Sequence, residues 1–181
     1  MPAKGGATEP TNVQAVDDVR WGELEFRVTS HRTDRHPEAV PITSARAIVR
    51  RARRVLVVCD PTSVHVLPGG RLEPGEEPEY ALHREVLEET GWHLGIPTLL
   101  GYLHFHHRSP RPTTGWQPPY PEFCQLVYLA DATRHDPGAK EPDGYELWSE
   151  FKPIVEVERL PLSNGQRNFL TVALATARAR A

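Results

Sequence analysis

The chain has 181 residues, of which 39% are hydrophobic and 25% charged, and a formal net charge of −3. That length suits one domain able to bury a sizeable core, and the near-neutral balance argues against a protein built to grip a nucleic-acid polymer or a membrane surface by charge. The N-terminus has no apolar run of signal-peptide length, and no stretch approaches the ~20 apolar residues of a membrane span, so a soluble, cytoplasmic protein is expected.

Met1 to Ala15 is small and polar, with two Gly and two Pro. Residues 1–18 are therefore expected to form a disordered tail, and residues 19–181 a single domain. Trp21 to Ser30 alternates apolar and polar residues through Leu24, Phe26 and Val28, the pattern of a strand. His31 to Pro41 is a charged loop. Ala45 to Arg50 and Val55 to Asp60 read as two strands, the second continuously apolar as in a strand covered on both faces. Four arginines, Arg50, Arg51, Arg53 and Arg54, mark the turn between them. Such a cluster is most often a solvated turn, and Arg50 is the one to carry a substrate anion if any does. Val64 to Leu67 is a short strand leading into a glycine turn.

Gly70 to Trp92, GRLEPGEEPEYALHREVLEETGW, holds the densest chemical signal. Pro78 suits the first turn of a helix and Gly91 the residue just past its end, with helix formers from Tyr80 to Thr90. On a helix Glu85 and Glu89 stand one above the other, with Glu88 beside them. Like charges so close repel, and a cation placed among them removes the repulsion. Few hard oxygen ligands with room for water suit Mg²⁺ or Mn²⁺. Arg84 lies one turn before Glu88, so its fork can pair with that carboxylate, and Glu76 is within its reach. Gly69, Gly70 and Gly75 allow tight turns and close approach of a ligand to backbone. A solvated acidic helix with i,i+4 ion pairs is the plain alternative. It does not account for the glycines, the arginine and three stacked glutamates occurring together.

This stretch resembles the signature of the Nudix hydrolases: Gly, five residues, Glu, seven residues, Arg-Glu, an apolar residue, any residue, Glu-Glu, any residue, Gly, apolar. Gly70, Glu76, Arg84, Glu85, Val86, Glu88, Glu89, Gly91 and Trp92 meet it, with Trp92 aromatic where an aliphatic is common. The lead-in Leu67-Pro68-Gly69 is similar to the family's, with His65 where many members have Trp. The resemblance implies an α/β fold, the Nudix α/β/α sandwich with a curved mixed sheet. It implies metal held by Glu85, Glu88, Glu89 and the carbonyl of Gly70. Glu76, Gly69 and Gly91 would support the site. It also implies a base that is either Glu88 or a carboxylate from a distant loop, for which Glu146 and Glu141 are the candidates. Arg84 and Glu146 join Glu88 in the expected catalytic set.

Farther along, Leu99 to His106 reads as a strand. His104, His106 and His107 suggest a metal, but without a fourth ligand or a catalytic carboxylate nearby in sequence ordinary strand histidines are the favoured reading. Ser109 to Pro121 is dense in proline, and Trp116 or Tyr120 there could stack on a base; a stiff surface connection is the equal alternative. Glu122 to Ala130 is an apolar strand, Asp131 to Tyr145 an acidic loop, and Glu146 to Pro153 resembles a later segment of the family. Ser163 and Gln166 form a capping box before a C-terminal helix with Phe169, Leu170, Val172, Ala173 and Ala177 on its buried face. Cys59 and Cys124 lack metal spacing and read as small buried residues.

The expected activity is metal-dependent hydrolysis of a diphosphate linkage in a nucleoside diphosphate derivative, that of a Nudix pyrophosphohydrolase. Its partner is a small-molecule diphosphate, and a homodimer stays open. A non-catalytic Nudix-like sensor would be expected to have lost the glutamates. An allylic diphosphate isomerase would need a cysteine nucleophile in a recognisable setting.

Overall fold

A computed structural model describes residues 13–115, 117–142 and 144–179. The strands are β1 (Val13–Trp21), β2 (Leu24–Arg32), β3 (Ile42–Arg51), β4 (Arg54–Cys59), β5 (Val64–His65), β6 (Gly69–Arg71), β7 (Trp92–Leu94), β8 (Thr98–His107), β9 (Glu122–His135) and β10 (Trp148–Pro153). The helices are α1 (Pro78–Thr90), α2 (Ile154–Val157) and α3 (Asn164–Ala179). The sheet runs β1-β2-β8-β9-β3-β4-β10, with β6 on β3 and β5 on β4. All pairings are antiparallel except β3 with β9, so the sheet is mixed, as expected.

Alternation along the strands splits the core in two. Ala45, Ala47, Val49, Leu56, Val58, Leu126, Tyr128 and Ala130 face α1, whose Leu82 and Val86 are fully buried against them. Ile48, Val55, Val57, Phe105, Phe123, Val127 and Leu129 face the other way, against Val157 of α2 and Phe169, Leu170 and Ala173 of α3. The result is the α/β/α sandwich. The side chain of Ala177 lies outside the described residues.

Several boundaries differ from the sequence reading. Residues 13–18 are not tail but most of β1, a strand paired to β2 along its length; residues 1–12 lie outside the described residues. The reading failed because the inward-facing positions of β1 include Asp17, while Val16 points outward at 44% exposure. The expected single strand from Trp21 is instead a hairpin, folded at Gly22-Glu23 with Gly22 at φ 61°. β9 runs on to His135 through the expected loop, because β7 pairs with its far end. The capping box forms by half: Ser163 Oγ accepts the Gln166 N–H at 3.2 Å, but the Gln166 side-chain oxygen takes the Val66 N–H at 3.4 Å. Asp17 adds a cap from β1, accepting the N–H groups of Asn164 and Gly165 at 2.9 and 2.8 Å. Among the described residues no helix is long and apolar enough to cross a membrane.

Candidate active site

Helix α1 starts at Pro78 and ends on Gly91, whose left-handed φ of 72° lets its N–H reach the Leu87 carbonyl at 2.8 Å. Ala81, Leu82, Val86 and Thr90 form the buried stripe. That fixes the rotation of the helix and aims Glu85 and Glu89 at β6. A Cβ at Gly70 would overlap the Glu85 carboxylate, so only glycine admits it there. Gly69 is equally constrained: its φ is 122° and a Cβ would run into the Ala45 carbonyl. Its N–H donates to Glu89 Oε2 at 2.8 Å.

Arg84 gathers the other carboxylates. Its Nε and Nη2 hold Glu76 as a fork, both at 2.9 Å. Nη1 reaches Glu85 Oε1 at 2.9 Å and Glu88 Oε2 at 3.2 Å, and Nη2 also donates to the Arg71 carbonyl at 3.1 Å. One oxygen of Glu85 and one of Glu88 are thereby used, and the second oxygen of each is left for a cation.

The glutamates differ electrostatically. The hydrogen bonds from Arg84, helped by the Glu73 N–H, hold Glu76 down at about 2. Glu85 shifts upward although it shares Arg84, because burial outweighs the arginine. Burial pushes Glu89 up to about 8 against Arg46 and the Gly69 N–H, with Glu146 and Glu85 adding repulsion. A cation beside such a desolvated carboxylate would favour its ionised form. The carboxylates of Glu85, Glu88 and Glu89 offer oxygen donors alone, a set that fits a hard divalent ion.

Glu146, some 57 residues farther along the chain, is near enough for its charge to act on Glu89. Its loop is tied down at both ends: the Glu141 N–H donates to the Glu88 carbonyl at 2.9 Å, and the Leu147 N–H to the Cys59 carbonyl at 2.8 Å. The Glu141 side chain itself is exposed.

Next to β6, on the α3 side of the sheet, opens a cleft of about 460 Å³. Ser44, Arg46, His65, Arg71 and Gln125 give it polar walls, and Trp21 and Phe105 give it aromatic ones. Arg46 links cleft and helix: Nη1 donates to the Leu67 carbonyl at 3.0 Å, and its charge acts on Glu85 and Glu89. His65, buried beside Arg46, is held down at about 4 and is neutral. The sequence reading missed Arg46, Ser44 and Gln125. Their signal was polar residues at inward positions of otherwise apolar strands.

The expected substrate residues lie elsewhere. Arg50 is bound bidentately to Asp131 at 3.1 and 3.2 Å, about five residues and so ~16 Å along β3 from the Gly70 register. Two of its companions are also occupied, Arg51 over the Trp92 ring at 4.7 Å and Arg54 on the Phe151 carbonyl at 3.2 Å. Tyr120 packs on the His107 ring at 5.1 Å, roughly 20 Å along the strands from Gly70. Trp116 lies outside the described residues. His104 and His106, read as ordinary strand histidines, meet a carboxylate after all: β8–β9 pairing puts Glu122 opposite His106, and the three ligand atoms lie within 4.8 Å of one another. This cluster can hold a divalent metal.

A NUDIX-domain family model matches residues 40–172, well over half of the chain. The chain belongs to the Nudix family. Solved relatives agree in fold. A pyrophosphohydrolase from Bacillus subtilis superposes with a TM-score of 0.59 at 19% identity, over 86% of this chain and 92% of that one. A Nudix hydrolase from Nitrosomonas europaea gives 0.55 at 23% identity, over 73% and 89%. A MutT Nudix hydrolase from Burkholderia pseudomallei gives 0.53 at 25% identity, over 72% and 96%. In sequence, a Bacillus subtilis (strain 168) protein described as a candidate 8-oxo-dGTP diphosphatase is 51% identical over 35 residues, a match spanning 19% of this chain and 24% of that protein.

Proposed function

We propose that this Nudix protein is a metal-dependent hydrolase that cleaves a diphosphate linkage in a nucleoside diphosphate derivative. One observation carries the reading: Arg84 binds Glu85 and Glu88, the Gly69 N–H binds Glu89, and the Glu85 carboxylate lies against Gly70, next in the chain to Arg71, which with Arg46 lines the cleft. Glu85, Glu88, Glu89 and the Gly70 carbonyl are the ligands in this proposal, and Mg²⁺ or Mn²⁺ the ion. Bound there, the ion neutralises charge on phosphate oxygens and acidifies its water.

The chain does the rest. Arg84 keeps Glu85 and Glu88 from turning away, so the ligand geometry is set before substrate arrives. Glu89 must lose its proton before it can serve as a ligand. Glu146, whose charge reaches Glu89, is the favoured acceptor for the proton of the attacking water, with Glu88 the second choice; the water oxygen bonds to phosphorus as the P–O bond to the leaving phosphate breaks. Arg46 and Arg71 face the cleft, where they offset the charge of a bound phosphate. The cleft has the size of a small-molecule pocket, and its aromatic and amide side chains suit a nucleoside. The activity named for the Bacillus subtilis (strain 168) sequence relative supports a nucleotide substrate.

Cys124 gives the isomerase reading no support, while Cys59, expected to be buried, is half-buried and hydrogen-bonded through Sγ to the Asp60 carbonyl. Cys124 is fully buried, and burial pushes its thiol up to about 12, far from a nucleophile's range. The test is product analysis with Mg²⁺ on a panel of nucleotide sugars, dinucleotides, nucleoside triphosphates and ADP-ribose. Mg²⁺-dependent release of a phosphate or nucleotide product from at least one compound is expected. Tight binding without turnover across the panel would make the protein a sensor instead.

A further inference from the structure

The imidazoles of β8 carry an inference independent of the glutamate site. His104 and His106 project from the same face of β8, two residues apart, and Glu122 stands opposite His106 on β9. Glu122 Oε2 lies 3.0 Å from His104 Nε2 and 3.1 Å from His106 Nδ1. Donors bound tetrahedrally at ~2.0–2.1 Å stand about 3.3 Å from one another; the two distances to Glu122 are close to that, and the two imidazole nitrogens, within 4.8 Å of each other, come into place by small side-chain rotations. We propose that His104, His106 and Glu122 form a second metal centre, which takes a borderline divalent transition ion, Zn²⁺ in the first place.

The chemistry of the donors makes the choice. Two neutral imidazole nitrogens and one carboxylate are the ligands of an open zinc site, whereas Mg²⁺ seeks oxygen and holds its water. The fourth position is open. Beside the imidazoles lies a shallow depression of about 350 Å³, lined also by Arg27, Thr29 and Arg108, which gives a water access. The two arginines do not oppose the ion with bare charge, since Asp18 faces both, at 3.3 and 3.7 Å. His31 stands near, with ring centroids 6.0 Å from His104, but its Nε2 is engaged with the Thr29 hydroxyl at 2.8 Å. The site is separate from the glutamates: from the Gly70 register, Glu122 is four residues along β9 and two strands across, roughly 16 Å. An ion there would pin the end of β8 to the start of β9, the two anchors of the proline-rich segment from Ser109 to Pro121.

The experiment is calorimetric titration of Zn²⁺ into the full chain, carried without a histidine tag and in millimolar Mg²⁺. A parallel titration with Co²⁺ is followed by visible absorption. One equivalent should bind with a dissociation constant in the micromolar range or below, with the intense d–d bands of a tetrahedral ion. His106→Ala, at an exposed side chain, should weaken binding by more than about 100-fold, the upper range seen when only an outer-shell partner is removed. Glu122→Gln should weaken it as well, while Glu89→Gln should leave it unchanged. Zn²⁺ should also slow proteolysis within Ser109 to Pro121 in the wild type but not in His106→Ala. The proposal fails if no stoichiometric binding is seen, if binding survives His106→Ala, or if it disappears in Glu89→Gln.

Discussion

The glutamates of α1 and the imidazoles of β8 belong to one face of one sheet, and they are assembled by different means. On α1 a helical turn stacks the carboxylates, an arginine binds one oxygen each of Glu85 and Glu88, and burial lifts Glu89 to about 8. On β8 and β9 strand register alone sets nitrogen beside carboxylate, and no arginine fork holds it. The first arrangement is oxygen-only and confined, which favours a hard ion that must share its shell with phosphate. The second mixes nitrogen with oxygen on an open surface, which favours a softer ion and asks nothing of a substrate. What a cluster binds thus follows from how its element presents donors, more than from how many donors it has.

The comparison breaks most visibly with the ligands. Glu85→Gln or Glu89→Gln should lower kcat by about 10³-fold, since a bound ion contributes several kcal/mol and ~4 kcal/mol corresponds to that factor. Circular dichroism of either variant should match the wild type, and Zn²⁺ binding should be untouched. Turnover close to wild type at limiting Mg²⁺ would remove the residue from the ligand set. Gly70→Ala should come next, at about 10²-fold, because its Cβ would displace the Glu85 carboxylate, and misplacement of about 1 Å can cost that much. A kinetically silent Gly70→Ala would mean that Glu85 is free to swing aside.

Arg84→Lys should lower kcat by about tenfold, close to the loss of one charge-assisted bond at ~1.5 kcal/mol. KM should change little, because the arginine touches ligands and not substrate; a change confined to KM would contradict that placement. The smallest effect is on pH. Glu89 has a folded-state pKa raised from the ordinary 4.5 to about 8 by burial. The stability this group contributes to the metal-free chain is complete below its unfolded value and is lost as pH rises through about 8. Metal-free wild type should therefore lose more melting temperature over that interval than Glu89→Gln does. Mg²⁺ binding should release a proton below about pH 8, visible as a buffer-dependent heat. Zn²⁺ binding should keep the same pH profile in wild type and Glu89→Gln; a shifted profile would join the two sites.

The glutamate site was legible because its logic is local. Pro78, Gly91 and the i, i+3, i+4 spacing of Glu85, Glu88 and Glu89 lie within one helix, and the Arg84 pairings span a few turns. The sandwich followed from the resemblance together with apolar strands whose alternation was plain. What stayed hidden depended on register. Nothing in the sequence places Glu122 opposite His106, or Glu146 beside Glu89, until strand order is known. β1 was hidden for another reason: its inward position at Asp17 is polar because it caps a helix far along the chain. Arg50 looked free in sequence and is held by Asp131, an ion pair that only the parallel β3–β9 pairing creates.

The hydrogen bonds from the start of α3 to Asp17 bear on how the molecule is finished during synthesis. Asp17 emerges from the ribosome among the first residues of the domain, and Asn164 and Gly165 among the last. The cleft is walled by both ends of that span, through Asp17 and Trp21 on one side and Ser163 and Gln166 on the other. The sheet strands and α1, whose residues lie between, can pair and pack while the chain is still growing. The cleft cannot close until β1 meets α3, so a nascent chain would gather the glutamates of α1 before it has closed the cleft.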